Sequence, residues 1–170
     1  KIHPVNEELS IEMFQTLQLF ASKYNFIHYE ISNFAKQGFF SQHNSSYWKQ
    51  VPYLGLGPSA HSFNIVTREW NPRSIEIWSN KIMKGEIATE KEYLSLSEQI
   101  NEYLLTSLRT IWGADIKKIR ENFGKEIYDK IMSSAQKHID TGVLNSNDTK
   151  LKINPKYYLT SDAIVTDLLL

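Results

Sequence analysis

The residues with the most chemistry in the chain fall in one stretch, Ser41-Gln42-His43-Asn44-Ser45-Ser46-Tyr47-Trp48. An imidazole flanked by Tyr and Trp suits a flat aromatic ligand: a ring nitrogen can ligate iron, and the rings can cover a porphyrin face. The plainer reading makes Tyr47 and Trp48 hydrophobic anchors of a loop, with His43 hydrogen-bonded to backbone. The residues taken alone favour that plainer reading. A second stretch, Gly55-Leu56-Gly57-Pro58-Ser59-Ala60-His61-Ser62, sets small residues in a row, which lets a ligand approach main-chain amides closely. It lacks the lysine and glycine spacing of a phosphate loop. His61 offers a second ligand or base, against the more ordinary role of a satisfied structural histidine. Glu30, within Tyr29-Glu30-Ile31-Ser32-Asn33-Phe34-Ala35, stands at the C-terminal end of a strand, where barrel sites lie. It reads equally well as an exposed carboxylate or one paired with a lysine. His3, His28 and His138 have no partner pattern and read as structural.

Composition narrows the chemistry. The 19 basic and 19 acidic residues cancel, so no electrostatic footprint points to nucleic acid or an anionic membrane. The chain has no cysteine, which excludes disulfides, thiolate metal sites, iron–sulfur ligation and cysteine nucleophiles within these residues. No signal peptide is visible and no apolar run approaches the ~20 residues that cross a bilayer, so the expected compartment is the cytoplasm. The chain begins without Met and stops at Leu168-Leu169-Leu170 with an apolar stripe unfinished, and reads as cut at both ends.

The elements that must position these residues follow from local signals. Asn6 is a helix N-cap, with Glu7 and Glu8 where the dipole favours negative charge. Leu9, Met13, Leu17, Phe20 and Tyr24 recur at helical spacing, and Asn25 ends the helix. Residues 26–32 read as a strand, 33–52 as a long polar and aromatic loop, and 53–57 as a short strand whose glycines suggest close backbone approach. A hairpin is expected over 62–70 and a short helix over 74–84, ended by Gly85. Further on, Ser95 and Glu98 form a capping box. The stripe Ile100, Leu104, Leu108 and Ile111 follows, with Gly113 closing the helix. Asp115 caps a short helix to Asn122. A longer helix carries Ile127, Ile131, Ala135 and His138 to Gly142. Two strands then flank the Asn147-Asp148 turn, and a last helix starts at Thr160 or Ser161. Helices followed by a small two-stranded wing indicate a winged-helix-like unit.

Three stretches in order, Tyr29 to Ala35, His43 to Trp48 and Tyr53 to Ser62, resemble the HemW-like relatives of oxygen-independent coproporphyrinogen III oxidase. The segments Ser107-Leu108-Arg109-Thr110-Ile111-Trp112-Gly113-Ala114-Asp115 and Asn122-Phe123-Gly124 are similar to that family's C-terminal domain. The resemblance spans essentially the whole chain. It implies an α+β fold: the end of a partial α/β (TIM-like) barrel over residues 1–85, then a helical, winged-helix-like domain over 86–170. In the family the barrel holds a [4Fe–4S] cluster and S-adenosylmethionine, and the cluster cysteines sit near the N-terminus. The cysteine-free chain is therefore expected to lack that loop and to be inactive in radical chemistry by itself.

The family's HNxxYW motif appears here as His43, Asn44, Tyr47 and Trp48. By the resemblance these contact heme and His43 is the candidate iron ligand, which reverses the reading from residues alone. Gly55, Gly57, Ser59 and Ala60 would line the S-adenosylmethionine side of the barrel. The motif distinguishes heme-binding members from true oxidases. A heme chaperone that passes heme to acceptor proteins is therefore the expected function, with porphyrinogen decarboxylation as the alternative. A nucleic-acid-binding winged helix is disfavoured: Lys125, Lys130 and Lys137 are balanced by Glu126, Asp129 and Asp140, whereas a recognition helix should be basic. A protein-binding role for that unit stays open. An open barrel exposes a strand edge and apolar surface, so a homodimer is also expected.

Overall fold

The computed structural model describes residues 6–170, so His3 lies outside the described residues. Helix α1 (Glu7–Lys23) starts where Asn6 accepts the amide of Leu9 at 2.7 Å. It ends at Asn25, whose φ of 61° is the left-handed turn expected of that residue. The stripe picked out by periodicity does not face the core. Leu9, Met13, Leu17, Phe20 and Tyr24 are all exposed, while Ala21 is buried and Phe14 packs against the core.

Strand β1 (Ile27–Glu30) returns at once as antiparallel β2 (Asn33–Ala35). The expected long loop is thus interrupted twice, by β2 and by helix α2 (Gln42–Trp48). The expected strand over 53–57 is reduced to one bridge, Tyr53 to Phe63, closed by reciprocal backbone hydrogen bonds of 2.9 and 3.0 Å. The chain then turns at Gly57–Ala60, where the Ala60 amide donates to the Gly57 carbonyl at 3.2 Å. Gly55 does meet a close neighbour, though the neighbour is the protein's own backbone: a Cβ there would lie 2.2 Å from the carbonyl oxygen of His61.

The hairpin β3 (His61–Phe63) and β4 (Thr67–Trp70) precedes helix α3 (Ile75–Met83). Strand β5 (Glu90–Tyr93) then adds to β4, giving the order β3-β4-β5. Helix α4 (Leu96–Ser107) carries the capping box of Ser95 and Glu98. The helix stops at Leu108, so Ile111 lies beyond it, where its amide bonds the carbonyl of Tyr29 at 3.1 Å. The bond from the Ile31 amide to the Arg109 carbonyl, also 3.1 Å, completes a seam between β1 and the segment after α4.

Strand β6 (Ala114–Asp115) leads into α5 (Ile116–Phe123) and α6 (Lys125–Asp140), then β7 (Leu144–Ser146) and β8 (Lys150–Ile153). The wing has three strands, ordered β6-β8-β7, where two were expected. The third, β6, is two residues long and carries no alternation to betray it. A 3₁₀ turn (Pro155–Thr160) and helix α7 (Ser161–Thr166) close the chain. Ile100, Leu104, Leu108, Ile119, Ile131 and Leu151 are fully buried in the core of this winged-helix-like unit. No closed barrel forms among the described residues, whose strands make two three-stranded sheets and one hairpin. Among them, no helix is long and apolar enough to cross a membrane.

Candidate functional site

Helix α2 begins because the Ser41 hydroxyl accepts the Asn44 amide at 3.2 Å. Residues four apart share a face, so the helix sorts the four motif residues into two pairs. His43 and Tyr47 lie on the outer side, both exposed, with ring centroids 4.9 Å apart and edge to face. Neither imidazole nitrogen of His43 hydrogen-bonds another described residue, so the ring is not tied to backbone as the plainer reading expected. Tyr47 packs edge-on against Tyr53 at 4.8 Å, and Tyr53 leans on Phe63 at 6.1 Å. A run of four rings therefore leads from the His43 imidazole down to β3. Burial and the neighbouring Tyr47 push the Tyr53 phenol above its usual range, which keeps it neutral at physiological pH.

Asn44 and Trp48 occupy the inner side and are half-buried. The Asn44 amide donates to the Asn33 side-chain oxygen at 3.4 Å. Asn33 in turn donates to Glu30, which also accepts the Ser32 amide at 2.9 Å. Glu30 is only 1% exposed and faces the Arg109 guanidinium at 3.4 Å. That guanidinium sits 5.7 Å from the Trp48 ring centre and also reaches Asp162 at 3.2 Å. Glu30 is thus a buried structural carboxylate that ties the hairpin turn to α2 and to the end of α4. Sequence reasoning missed Arg109 and Asn33. The one available signal was an unassigned carboxylate at a strand end, which in a buried setting requires a cation.

The segment from Gly55 to Ala60 lies beside Tyr53. Gly57 takes φ +100°, a conformation that suits glycine. The amides of Gly55, Ser59 and Ala60 are already donated, to Ser62 Oγ, the Pro72 carbonyl and the Gly57 carbonyl. What the segment presents outward is its small-residue surface and the exposed side chains of Leu54 and Leu56. His61 is exposed on β3, and no ring contact or hydrogen bond joins it to His43 among the described residues. His138 meets Asp167 at 3.0 Å. His28 stacks on Phe34 at 4.0 Å, bonds the Ile31 carbonyl through Nε2 at 2.8 Å, and meets the Gln18 amide through Nδ1 at 3.2 Å. These two histidines are structural, as expected. No group of three or more His, Asp or Glu side chains that could hold a metal ion gathers among the described residues.

No family model matches the chain. The heme chaperone HemW of Bacillus subtilis is 28% identical over 151 residues, covering 88% of this chain and 40% of that protein. The mitochondrial radical S-adenosyl methionine domain-containing protein 1 of Bos taurus is 37% identical over 115 residues, covering 62% and 26%. Among solved structures, the Escherichia coli coproporphyrinogen III oxidase HemN, a radical SAM enzyme, superposes with a TM-score of 0.69. It does so at 13% identity, over 96% of this chain and 42% of that one, a likeness of fold. The chain spans well under half the length of the curated relatives it matches.

Proposed function

Because the chain belongs to the HemW/HemN-like radical SAM family, corresponding to its C-terminal portion, we propose that it is the heme-contacting part of a heme chaperone. The observation that carries the reading is the exposed His43 imidazole, neither nitrogen of which is hydrogen-bonded among the described residues, with its ring braced against Tyr47. His43 ligates heme iron, and Tyr47 offers an aromatic edge to the macrocycle. Asn44 and Trp48 contribute indirectly, by fixing α2 through Asn33, Glu30 and Arg109. In the longer protein a [4Fe–4S] cluster and S-adenosylmethionine supply radical chemistry. Gly55, Gly57, Ser59 and Ala60 form the small-residue wall on the S-adenosylmethionine side. The bound heme passes to acceptor proteins in the cytoplasm, and the exposed apolar surface supports a homodimer.

Hemin titrated into the wild-type chain and His43→Ala tests this reading. The wild type should give a red-shifted Soret band typical of histidine ligation, and the variant should lose it. Identical spectra would remove the ligand assignment. The fold shared with HemN keeps propionate decarboxylation as a second reading. Turnover of coproporphyrinogen III by the longer, cluster-loaded protein would establish it over the chaperone.

A further inference from the structure

On the far side of α2 from His43, a cleft of about 330 Å³ separates the helix end from the winged-helix-like unit. Five residues along a helix turn it by roughly 140°, so Trp48 faces this cleft while His43 points elsewhere. Trp48, Trp112 and Tyr103 supply aromatic walls, and Lys49, Lys118 and Lys150 supply ammonium groups. The charges are held in place by the rings. Lys49 Nζ lies 4.7 Å from the centre of Trp112, and Lys118 Nζ lies 4.7 Å from that of Tyr103.

Neither Lys49 nor Lys118 has a carboxylate partner among the described residues. The opposing charge in the cleft, Asp115, is already committed twice. It accepts the Lys118 amide at 3.0 Å as the N-cap of α5 and meets Lys150 Nζ at 3.0 Å. Three cations against one neutralised carboxylate leave the cleft positive in a chain whose formal charge is zero. At the Trp48 wall, the indole Nε1–H is shielded from solvent and has no acceptor among the described residues. A buried donor left without a partner costs free energy, so the indole N–H at this wall is a polar group the fold leaves unsatisfied.

From this arrangement we infer that the cleft binds a small flat aromatic oxyanion, a ring bearing a carboxylate or phosphate. The ring lies between Trp48, Trp112 and Tyr103, and its charge is held by Lys49 and Lys118. The volume stands at the lower end of the range for small-molecule sites, which matches one or two fused rings and not a tetrapyrrole. The site shares Trp48 with the inner side of α2, but its argument does not depend on the heme reading.

The four tryptophans give four indole N–H resonances in a 15N-labelled sample of the whole chain, and Trp48→Phe and Trp112→Phe assign the two that matter. The probes are 2-naphthoate, 2-naphthyl phosphate, 2-naphthalenemethanol and inorganic phosphate. Either naphthyl anion should move the Trp48 and Trp112 resonances and leave those of Trp70 and Trp78 in place, and the tighter of the two names the charged group. The alcohol and inorganic phosphate should bind at least about tenfold more weakly, a difference of roughly 1.4 kcal/mol. Lys49→Gln and Lys118→Gln should each weaken the anion by several fold. Lys49 is exposed, so its variant keeps the test intact if Lys118→Gln misfolds. Unmoved resonances at millimolar probe would overturn the site. So would an alcohol that binds as well as the anions, inorganic phosphate that binds as well as them, or affinity unchanged in Lys49→Gln.

Discussion

Glu30 and Arg109 stand 79 positions apart in the chain, yet their pairing decides where α2 sits. The carboxylate is sealed from solvent, and its polar partners are the guanidinium and the Ser32 and Asn33 donors. Removing the cation and leaving the carboxylate costs more than the ion pair is worth, because an unpaired charge stays buried. Arg109→Ala should therefore lower unfolding free energy by about 3 kcal/mol in urea titration. It should also weaken hemin binding, because Trp48 and Asn44 lose the platform that orients α2. A variant with unchanged stability would show that water solvates Glu30 and that the network is dispensable. His28 gives a second prediction at this scale. Burial lowers its pKa below the ordinary 6.5, outweighing the opposing pull of Ile31 and Glu30. The unfolded state then binds more protons, so this contribution is complete above pH 6.5 and is lost as pH falls through the folded value. Stability measured from pH 7.5 downward should begin to fall near 6.5, and His28→Phe should flatten that limb. Asp115 and Asp167 have pKa values lowered by hydrogen bonds, from the Lys118 amide to Asp115 and from the Lys137 ammonium to Asp167. Their losses belong to more acidic solution and leave the His28 window clear.

Elements announced by local chemistry are legible in the amino-acid sequence: the Asn6 cap, the Ser95 and Glu98 box, the Asp115 cap and the left-handed Asn25 all stand where their residue types require. Elements sustained by distant partners are not. Apart from Gln42, helix α2 is built from His, Asn, Ser, Tyr and Trp, which are weak or middling helix formers without an apolar stripe, and it is held by β2 and by Arg109. Its one local clue is Ser41 as a cap. Strand β5, Glu90–Tyr93, is exposed throughout and owes its conformation to pairing with β4. The site is legible to the same degree: the motif residues can be named, but their division into an outer and an inner pair requires knowing that they form a helix. Glycine illustrates the contrast in a testable way. Gly113 has φ +65°, and a Cβ there would lie 2.4 Å from the Leu151 carbonyl oxygen, the contact that brings β8 against β6. Gly142 has φ +71° with open space around it. Gly142→Ala should cost only about 1 kcal/mol of backbone strain, whereas Gly113→Ala should cost about 3 kcal/mol because the wing must also shift. Equal melting temperatures for the two variants would show that strand β8 yields freely.

For the molecule as a whole, the conspicuous fact is the apolar surface left on its barrel-like side. Leu17 and Phe20 on α1 are 48% and 60% exposed, and Leu54 and Leu56 on either side of Gly55 are 75% and 83% exposed. A contiguous apolar face on α1 is more than the scattered exposure usual for a surface helix, and such faces mark contact surfaces. Covering a Leu or Phe side chain is worth about 1.5–3 kcal/mol, so a face with Leu9, Met13, Leu17 and Phe20 can drive weak association. The balance of 19 cationic and 19 anionic residues removes the net repulsion that would oppose it. The chain by itself should therefore self-associate at micromolar to millimolar concentration, with α1 at the contact. Sedimentation velocity would show a concentration-dependent mass for the wild type and a monomer for Leu17→Glu/Phe20→Glu. Both residues are exposed, so the double variant should keep its fold, and its far-UV circular dichroism should match the wild type. A wild type that stays monomeric at every concentration would remove both the α1 contact and the proposed homodimer. A double variant that still associates would move the contact to Leu54 and Leu56.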